Sequence, residues 1–374
     1  MKIKGIKYIG PLLDGSGYAQ AARGYVLALN KLGIPITVSP VTFEKLRPNL
    51  GQTGEIIKSL ININIDYNVV IIHTTPEFWE GHREEGKFNV GYTIWETTKL
   101  HPDWPKYINK NVDKVLVGSE FNIDVFKNSG VTVPIGVVPH GIDTEEFKGV
   151  EPYDVVGVDD NAYKFYSIFQ WTERKHPLAL IKAYWYAFQG NENVALILKT
   201  YRSSYTEEEK NAIRGTMQRL KNVTPNDRYP PVYLILDMLS RDEMLGLHKQ
   251  GDCFVSLDRG EGFGLNGFTA GAMGDPVVVT GFGGAMEYAK PDNSYIIKHV
   301  LTPVFGMPWS PWYRGDQCWA EPDVLHGAET MKHIYYNQDE AKEKGKKIQS
   351  FITENLSWDK VGQTMIDEVE KELQ

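Results

Sequence analysis

The chain has 374 residues, 42% of them hydrophobic and 24% charged, with a formal net charge of −8. It is too long for one hydrophobic core and too apolar for a disordered chain, so two domains are expected. The acidic balance excludes a general attraction to nucleic-acid backbones or anionic lipid.

In chain order, residues 2–9 read as a first strand. They lack the apolar run of a signal peptide. A helix follows, with Tyr18, Ala21, Ala22, Tyr25, Val26 and Leu29 on one face and Gly33 as its stop. Strands are expected at 36–38, 68–73, 89–95, 114–119 and 135–139. Their Val- and Ile-rich runs suit parallel strands covered on both faces, and none is long enough to span a bilayer. We expect a cytoplasmic chain with no integral membrane segment; peripheral membrane contact stays open. The pattern lapses over 144–162, where we place a linker. It resumes with strand 165–169, helix 177–188, strand 194–199, helix 207–220, strand 232–236, helix 241–249 and strands 253–257 and 276–280. From 323 onward only helices are expected. The alternation implies right-handed crossovers and a doubly wound parallel sheet in each half, a fold of the α/β class. The cysteines, Cys253 and Cys318, lie far apart and are expected to be free thiols.

In such sheets ligands bind at the carboxyl ends of strands. Two glycine-bearing loops sit there. In the first, Asp14-Gly15-Ser16-Gly17-Tyr18, backbone amides can approach a ligand at a helix start. A dinucleotide fingerprint would need glycine at position 20 and an acid ending the second strand; Gln20 and Val38-Ser39-Pro40 stand there instead. A ligand-facing loop of another kind and a plain tight turn are the readings left. The second loop runs Asp258-Arg259-Gly260-Glu261-Gly262-Phe263-Gly264-Leu265 and opens a helix carrying Thr269, Ala270, Gly271, Ala272 and Gly274. Its amides and the helix dipole make an anion site. Glu261 at its mouth suits sugar hydroxyls, which donate to a carboxylate; the plain alternative is a glycine-rich turn with a solvated Glu. No Ser-His-Asp arrangement, phosphate-loop lysine or zinc spacing occurs.

Glu261-Gly262-Phe263-Gly264-Leu265, the small-residue helix, Gly274-Asp275-Pro276-Val277 and Gly283-Gly284-Ala285-Met286-Glu287 together resemble the C-terminal signature of retaining glycosyltransferase family 4 (glycosyltransferase group 1). Val117-Gly118-Ser119-Glu120, Val138-Pro139-His140-Gly141, Glu173-Arg174-Lys175-His176-Pro177 and Trp319-Ala320-Glu321-Pro322 fit the same family in order, over nearly the whole chain. The resemblance implies the GT-B architecture, two Rossmann-like doubly wound domains facing across a cleft. It implies an acceptor-side domain at 1–150, a nucleotide-sugar domain at 151–355 and a C-terminal helix at 356–374 crossing back. It implies transfer of a hexose-type sugar, with retention, from a UDP- or GDP-sugar co-substrate to an acceptor hydroxyl, with no metal or other cofactor.

By the same resemblance, Lys175 helped by Arg174 neutralises the departing diphosphate. The amides of Gly262, Phe263, Gly264 and Leu265 hold it, and Glu261 binds the transferred sugar. Asp237-Met238-Leu239 lies where the base stacks, and Gly15, Ser16 and Gly17 face donor phosphate and acceptor. A solvated basic pair is the plain alternative for Arg174 and Lys175. The chain departs from the family at two places. Thr269 stands where a second Glu holds the ribose, and Phe169-Gln170 stands where an arginine is common. Lys199 and Arg202 are the cations placed to substitute for that arginine. Near the acceptor, Glu96 is the candidate for hydroxyl contact or proton acceptance, with a structural carboxylate as its alternative. His73, Trp95 and His140 are further acceptor or hinge candidates. Trp309, Trp312 and Tyr313 would stack on a sugar or pack in a loop. Rival readings are a donor-binding protein that has lost activity, a dinucleotide-dependent oxidoreductase, and the same transfer to a nucleic-acid base.

Overall fold

The computed structural model describes every residue except 1, 44–46, 189–191, 225, 227, 308–309 and 374. Trp309 therefore lies outside the described residues. Contacts gather the chain into two units, Met1–Asp143 with Glu354–Gln374, and Thr144–Thr353. Residues 144–150 go with the second unit because Glu146 pairs with Arg241 at 2.6 Å and the Val150 carbonyl accepts from Lys249 Nζ at 2.6 Å. The break thus falls earlier than residue 150.

The first unit alternates β1 (Ile6–Pro11), α1 (Gly17–Lys31), β2 (Ile36–Val41), α2 (Gly51–Ser59), β3 (Val69–His73), β4 (Phe88–Tyr92), α3 (Trp104–Asn111), β5 (Lys114–Val117), α4 (Glu120–Asn128) and β6 (Ile135–Val137). The strands form one parallel sheet in the order β2-β1-β3-β4-β5-β6. Val69, Val70, Ile71 and Ile72 are fully buried, as expected for a strand covered on both faces. The first strand begins at Ile6 rather than residue 2. The Lys4 amide is bound by Asn68 Oδ1 at 2.8 Å and the Ile3 amide by Glu370 Oε1 at 3.1 Å, so neither joins a ladder.

The second unit runs β7 (Tyr163–Gln170), α5 (Pro177–Ala187), β8 (Val194–Tyr201), α6 (Glu207–Val223), β9 (Val232–Ile235), α7 (Arg241–Gln250), β10 (Cys253–Ser256), α8 (Leu265–Met273), β11 (Val277–Thr280) and β12 (Tyr295–Ile297). Its parallel sheet has the order β12-β11-β10-β7-β8-β9. A core of Phe165, Leu196, Leu198, Val255 and Val278 packs with α5 residues Leu180, Ile181 and Tyr184. An antiparallel hairpin, β13 (His299–Pro303) with β14 (Cys318–Pro322), follows; the sequence reading had no strands there. Helices α9 (Val324–Tyr336) and α10 (Gln338–Asn355) come next.

The last helix, α11 (Trp358–Glu370), belongs to the first unit. Trp358 lies against Gly24 of α1 so closely that a Cβ there would meet the indole at 1.9 Å. Glu368 takes the buried Lys114 ammonium at 2.9 Å.

Candidate functional site

In the second unit most of the candidate residues gather on two turns and the hairpin. The turn after β7 carries Arg174 and Lys175 and ends at His176, whose φ of +45 is unusual for a residue with a side chain. Pro177 then opens α5 with its fixed φ. The loop after β10 carries Glu261. Lys175 Nζ bonds Glu261 Oε1, and Arg174 Nη1 lies 3.4 Å from Glu261 Oε2 and 2.6 Å from the Gly260 carbonyl. All three side chains are mostly buried, at 14–18% exposure. Two cations therefore share the Glu261 carboxylate, and an anion arriving there would meet side chains that can donate to it.

The loop from Glu261 to Gly264 is held by backbone contact with the turn after β11. The Gly284 amide bonds the Glu261 carbonyl at 2.7 Å, and a Cβ at Gly284 would stand 1.9 Å from the Gly262 oxygen. Gly264, with φ +85, caps α8, and its carbonyl accepts from Tyr288 Oη at 2.8 Å. The Phe263 ring is buried against Phe268 and Tyr288, with centroids at 5.0 and 5.5 Å. The α8 helix has no side-chain cap, so its first amides remain available to a ligand. Leu265 opens that helix, and Thr269 is buried within it at 3% exposure. Asp237 and Met238, after β9, are exposed, and Leu239 is half-buried. Asp237 pairs with Lys210 at 2.6 Å, and that hydrogen bond depresses its pKa.

The sequence reading missed the support of this cluster. Arg259 Nε bonds Glu321 Oε2 at 2.7 Å, its guanidinium lies 5.2 Å from the Trp319 ring, and its Nη1 reaches Glu173 at 3.3 Å. His176 Nε2 stands 2.9 Å from Glu321 Oε1. Burial would raise the Glu321 pKa, but the bonds from His176 and Arg259 outweigh it and hold the carboxyl at about 2. Asp258, 3% exposed, has its pKa raised by burial, and the nearby Lys175 charge offsets part of that. These pairings join residues far apart in sequence, which no local pattern reports.

In the first unit Ser16 caps α1, its Oγ accepting from the Ala19 amide at 3.1 Å, beside exposed Gly15 and Gly17. The unforeseen anchor is Asp14, which is fully buried and accepts from Ser16 Oγ at 2.6 Å and the Phe43 amide at 2.8 Å. Tyr18 Oη lies 3.0 Å from Thr93 Oγ1. Burial raises the Tyr18 pKa, and the half-buried Glu96 adds to it.

The two candidate histidines of this unit, His73 and His140, sit in the core. His73 Nδ1 lies 2.6 Å from Tyr8 Oη, and His140 Nδ1 lies 2.9 Å from Tyr25 Oη. Burial pushes the His73 pKa well down and that of His140 to about 3, so both are neutral at neutral pH. Trp95 is 3% exposed, and its indole N–H donates to Thr97 Oγ1 at 2.6 Å and the Lys99 carbonyl at 2.8 Å. It braces the loop after β4 and offers no stacking face. Trp312 and Tyr313 are partly exposed in the hairpin loop. Among the described residues no group of His, Cys, Asp and Glu is placed to hold a metal, and no helix is long and apolar enough to cross a membrane.

No protein-family model matches the chain. A protein of Sulfolobus islandicus rod-shaped virus 1, uncharacterized protein 356, is 22% identical over 298 residues, 79% of each chain. Solved structures resemble it along nearly its whole length. Sucrose-phosphate synthase of Thermosynechococcus elongatus superposes with a TM-score of 0.68 at 14% identity, covering 98% of each chain. HepE of Anabaena, in complex with UDP-glucose, gives 0.64 at 14% identity, covering 98% of this chain and 99% of that one. A glycosyltransferase of Rickettsia africae gives 0.67 at 14% identity, covering 98% of each. With its two parallel six-stranded sheets and flanking helices, the chain has the two-domain α/β architecture of the GT-B fold.

Proposed function

We propose that the chain is a glycosyltransferase that moves a hexose-type sugar from a nucleoside-diphosphate sugar to an acceptor hydroxyl, with retention and without a metal. The observation that carries the reading is the Arg174–Lys175–Glu261 cluster beside the uncapped start of α8. Its two cations and free amides fit a diphosphate, and its carboxylate fits sugar hydroxyls. The UDP-glucose bound by HepE makes a UDP-sugar the first donor to try. The bond from the anomeric carbon to the β-phosphate oxygen breaks, the acceptor oxygen bonds that carbon on the same face, and its proton passes to the released phosphate. Lys175, Arg174 and the α8 amides stabilise the charge that develops on the leaving group. Glu96, beside Tyr18, is the proposed contact for the acceptor hydroxyl.

The test is a thermal-shift panel of UDP, GDP, ADP and NAD with and without EDTA, followed by turnover assays. A diphosphate at about 100 times its Kd stabilises by roughly 2.7 kcal/mol. The reading expects one nucleoside diphosphate to act regardless of EDTA, and Lys175→Ala and Glu261→Ala each to lose transfer while folded. Wild-type turnover in either variant refutes its role. Thr269, buried where the family resemblance expects Glu, favours a second reading, donor binding without turnover. Saturable diphosphate binding with no transfer to any acceptor tried would select it.

A further inference from the structure

Among the described residues three lysines are buried, and two have oxygen partners. Lys114 Nζ bonds the Glu368 carbonyl at 2.7 Å and its carboxylate at 2.9 Å. Lys164 Nζ bonds the carbonyls of Asp160 at 2.9 Å and Ala162 at 3.0 Å. Lys199, on β8 and 4% exposed, has neither a hydrogen bond nor an ion pair among the described residues. Its ammonium instead faces the rings of Tyr205 and Tyr201, at 5.1 and 5.7 Å, which stack on each other at 5.1 Å. Asp237 is the carboxylate whose field favours the charge, but it is exposed and bonded to Lys210.

Two ring faces attract a cation, yet among the described residues they leave its N–H donors without an oxygen acceptor. A buried ammonium without an anion is costly, and burial lowers this one's pKa to about 8. The position says what would compensate. Leu196 and Leu198 point to the core under α5, so Lys199 points to the opposite face of the sheet, which α8 covers through Gly267 against Phe254. In register Lys199 pairs with Ile168 of β7. The Ile168 carbonyl is bonded at 2.8 Å by Asn266, in the first turn of α8. Lys199 thus stands one strand from the point where the uncapped start of α8 is pinned, near the carboxyl end of the sheet.

We propose that Lys199 is a third cation of the diphosphate site, donating to a phosphate oxygen of a bound nucleoside diphosphate, with Tyr201 and Tyr205 as the seat that keeps the ammonium poised. This rests on the donor-binding reading above. Calorimetric titration with UDP, inorganic pyrophosphate and uridine tests it on the full chain. Lys199→Met should weaken UDP and pyrophosphate binding tenfold or more, leave uridine binding unchanged and melt no lower than wild type, since it removes only an uncompensated charge. Lys199→Arg should restore part of the loss. Unchanged pyrophosphate and UDP affinity in a folded Lys199→Met protein overturns the inference while the donor site stands. Equal losses for UDP and uridine also overturn it, because they signal a displaced loop rather than a lost charge contact. Wild-type protein that binds neither UDP, GDP, ADP nor pyrophosphate overturns the donor reading and this inference with it.

Discussion

Glu321 holds the hairpin strand β14 to both loops of the candidate site, and its removal should loosen them in a pH-dependent way. Its pKa falls from 4.5 to about 2 in the folded chain. At about 1.4 kcal/mol per unit this is worth roughly 3 kcal/mol. The side chain is 34% exposed, and solvent screening reduces that to about 1–2 kcal/mol. A depressed carboxyl stabilises the fold fully above its unfolded value near 4.5, and the contribution fades as pH falls toward 2. Glu321→Gln removes the charge and so removes this dependence. The amide of Ala320, bonded to the Arg259 carbonyl at 2.8 Å, reports local opening. Its hydrogen-exchange protection, corrected for intrinsic rates, should be about 5- to 30-fold lower in the variant at pH 7, with the gap narrowing at pH 3.5. A gap of the same size at both pH values would show that packing, not charge, holds the strand.

Gly284→Ala should cost the site its anion affinity, because the new Cβ must displace the Gly262 carbonyl, 1.9 Å away; overpacking of this kind costs about 1–3 kcal/mol, and a pyrophosphate titration reads the loss. Gly24→Ala, facing the Trp358 indole at 1.9 Å, should destabilise the first unit by a similar ~1–3 kcal/mol and expose α11 to proteolysis at protease levels the wild type survives. His248 is buried against Tyr166 Oη at 2.9 Å, and burial holds its pKa at about 3. Below pH ~6.5 the unfolded chain takes up a proton that the folded chain refuses, so the second unit should lose up to about 1.4 kcal/mol per pH unit on acidification. Denaturant melts at pH 7 and 5 should show a smaller loss in His248→Gln; an equal loss would mean another group titrates there.

The sequence alone determined the two doubly wound halves, because parallel strands buried on both faces must be aliphatic runs and the helices between them must carry one apolar face. Val69-Val70-Ile71-Ile72 and the face from Tyr18 to Leu29 are such patterns, and the strands they specify lie in the sheet as expected. Glycine loops at strand ends were also legible, since close backbone approach requires that residue type. What stayed hidden was whatever depends on distant partners. His73 and His140 read as acceptor or hinge candidates in sequence, and only burial among the Tyr8, Tyr25 and Tyr92 side chains makes them neutral core residues. The hairpin of β13 and β14 lacks local strand alternation strong enough to outweigh its Pro and Gly neighbours, and its pairing across an intervening loop fixes it. The Arg259–Glu321–His176 network and the seating of the Lys199 ammonium over the Tyr201 and Tyr205 rings exist only once chain folding brings loops together. Side-chain chemistry is written residue by residue, but the charge a group carries, and what it still lacks, is set by its neighbours in space.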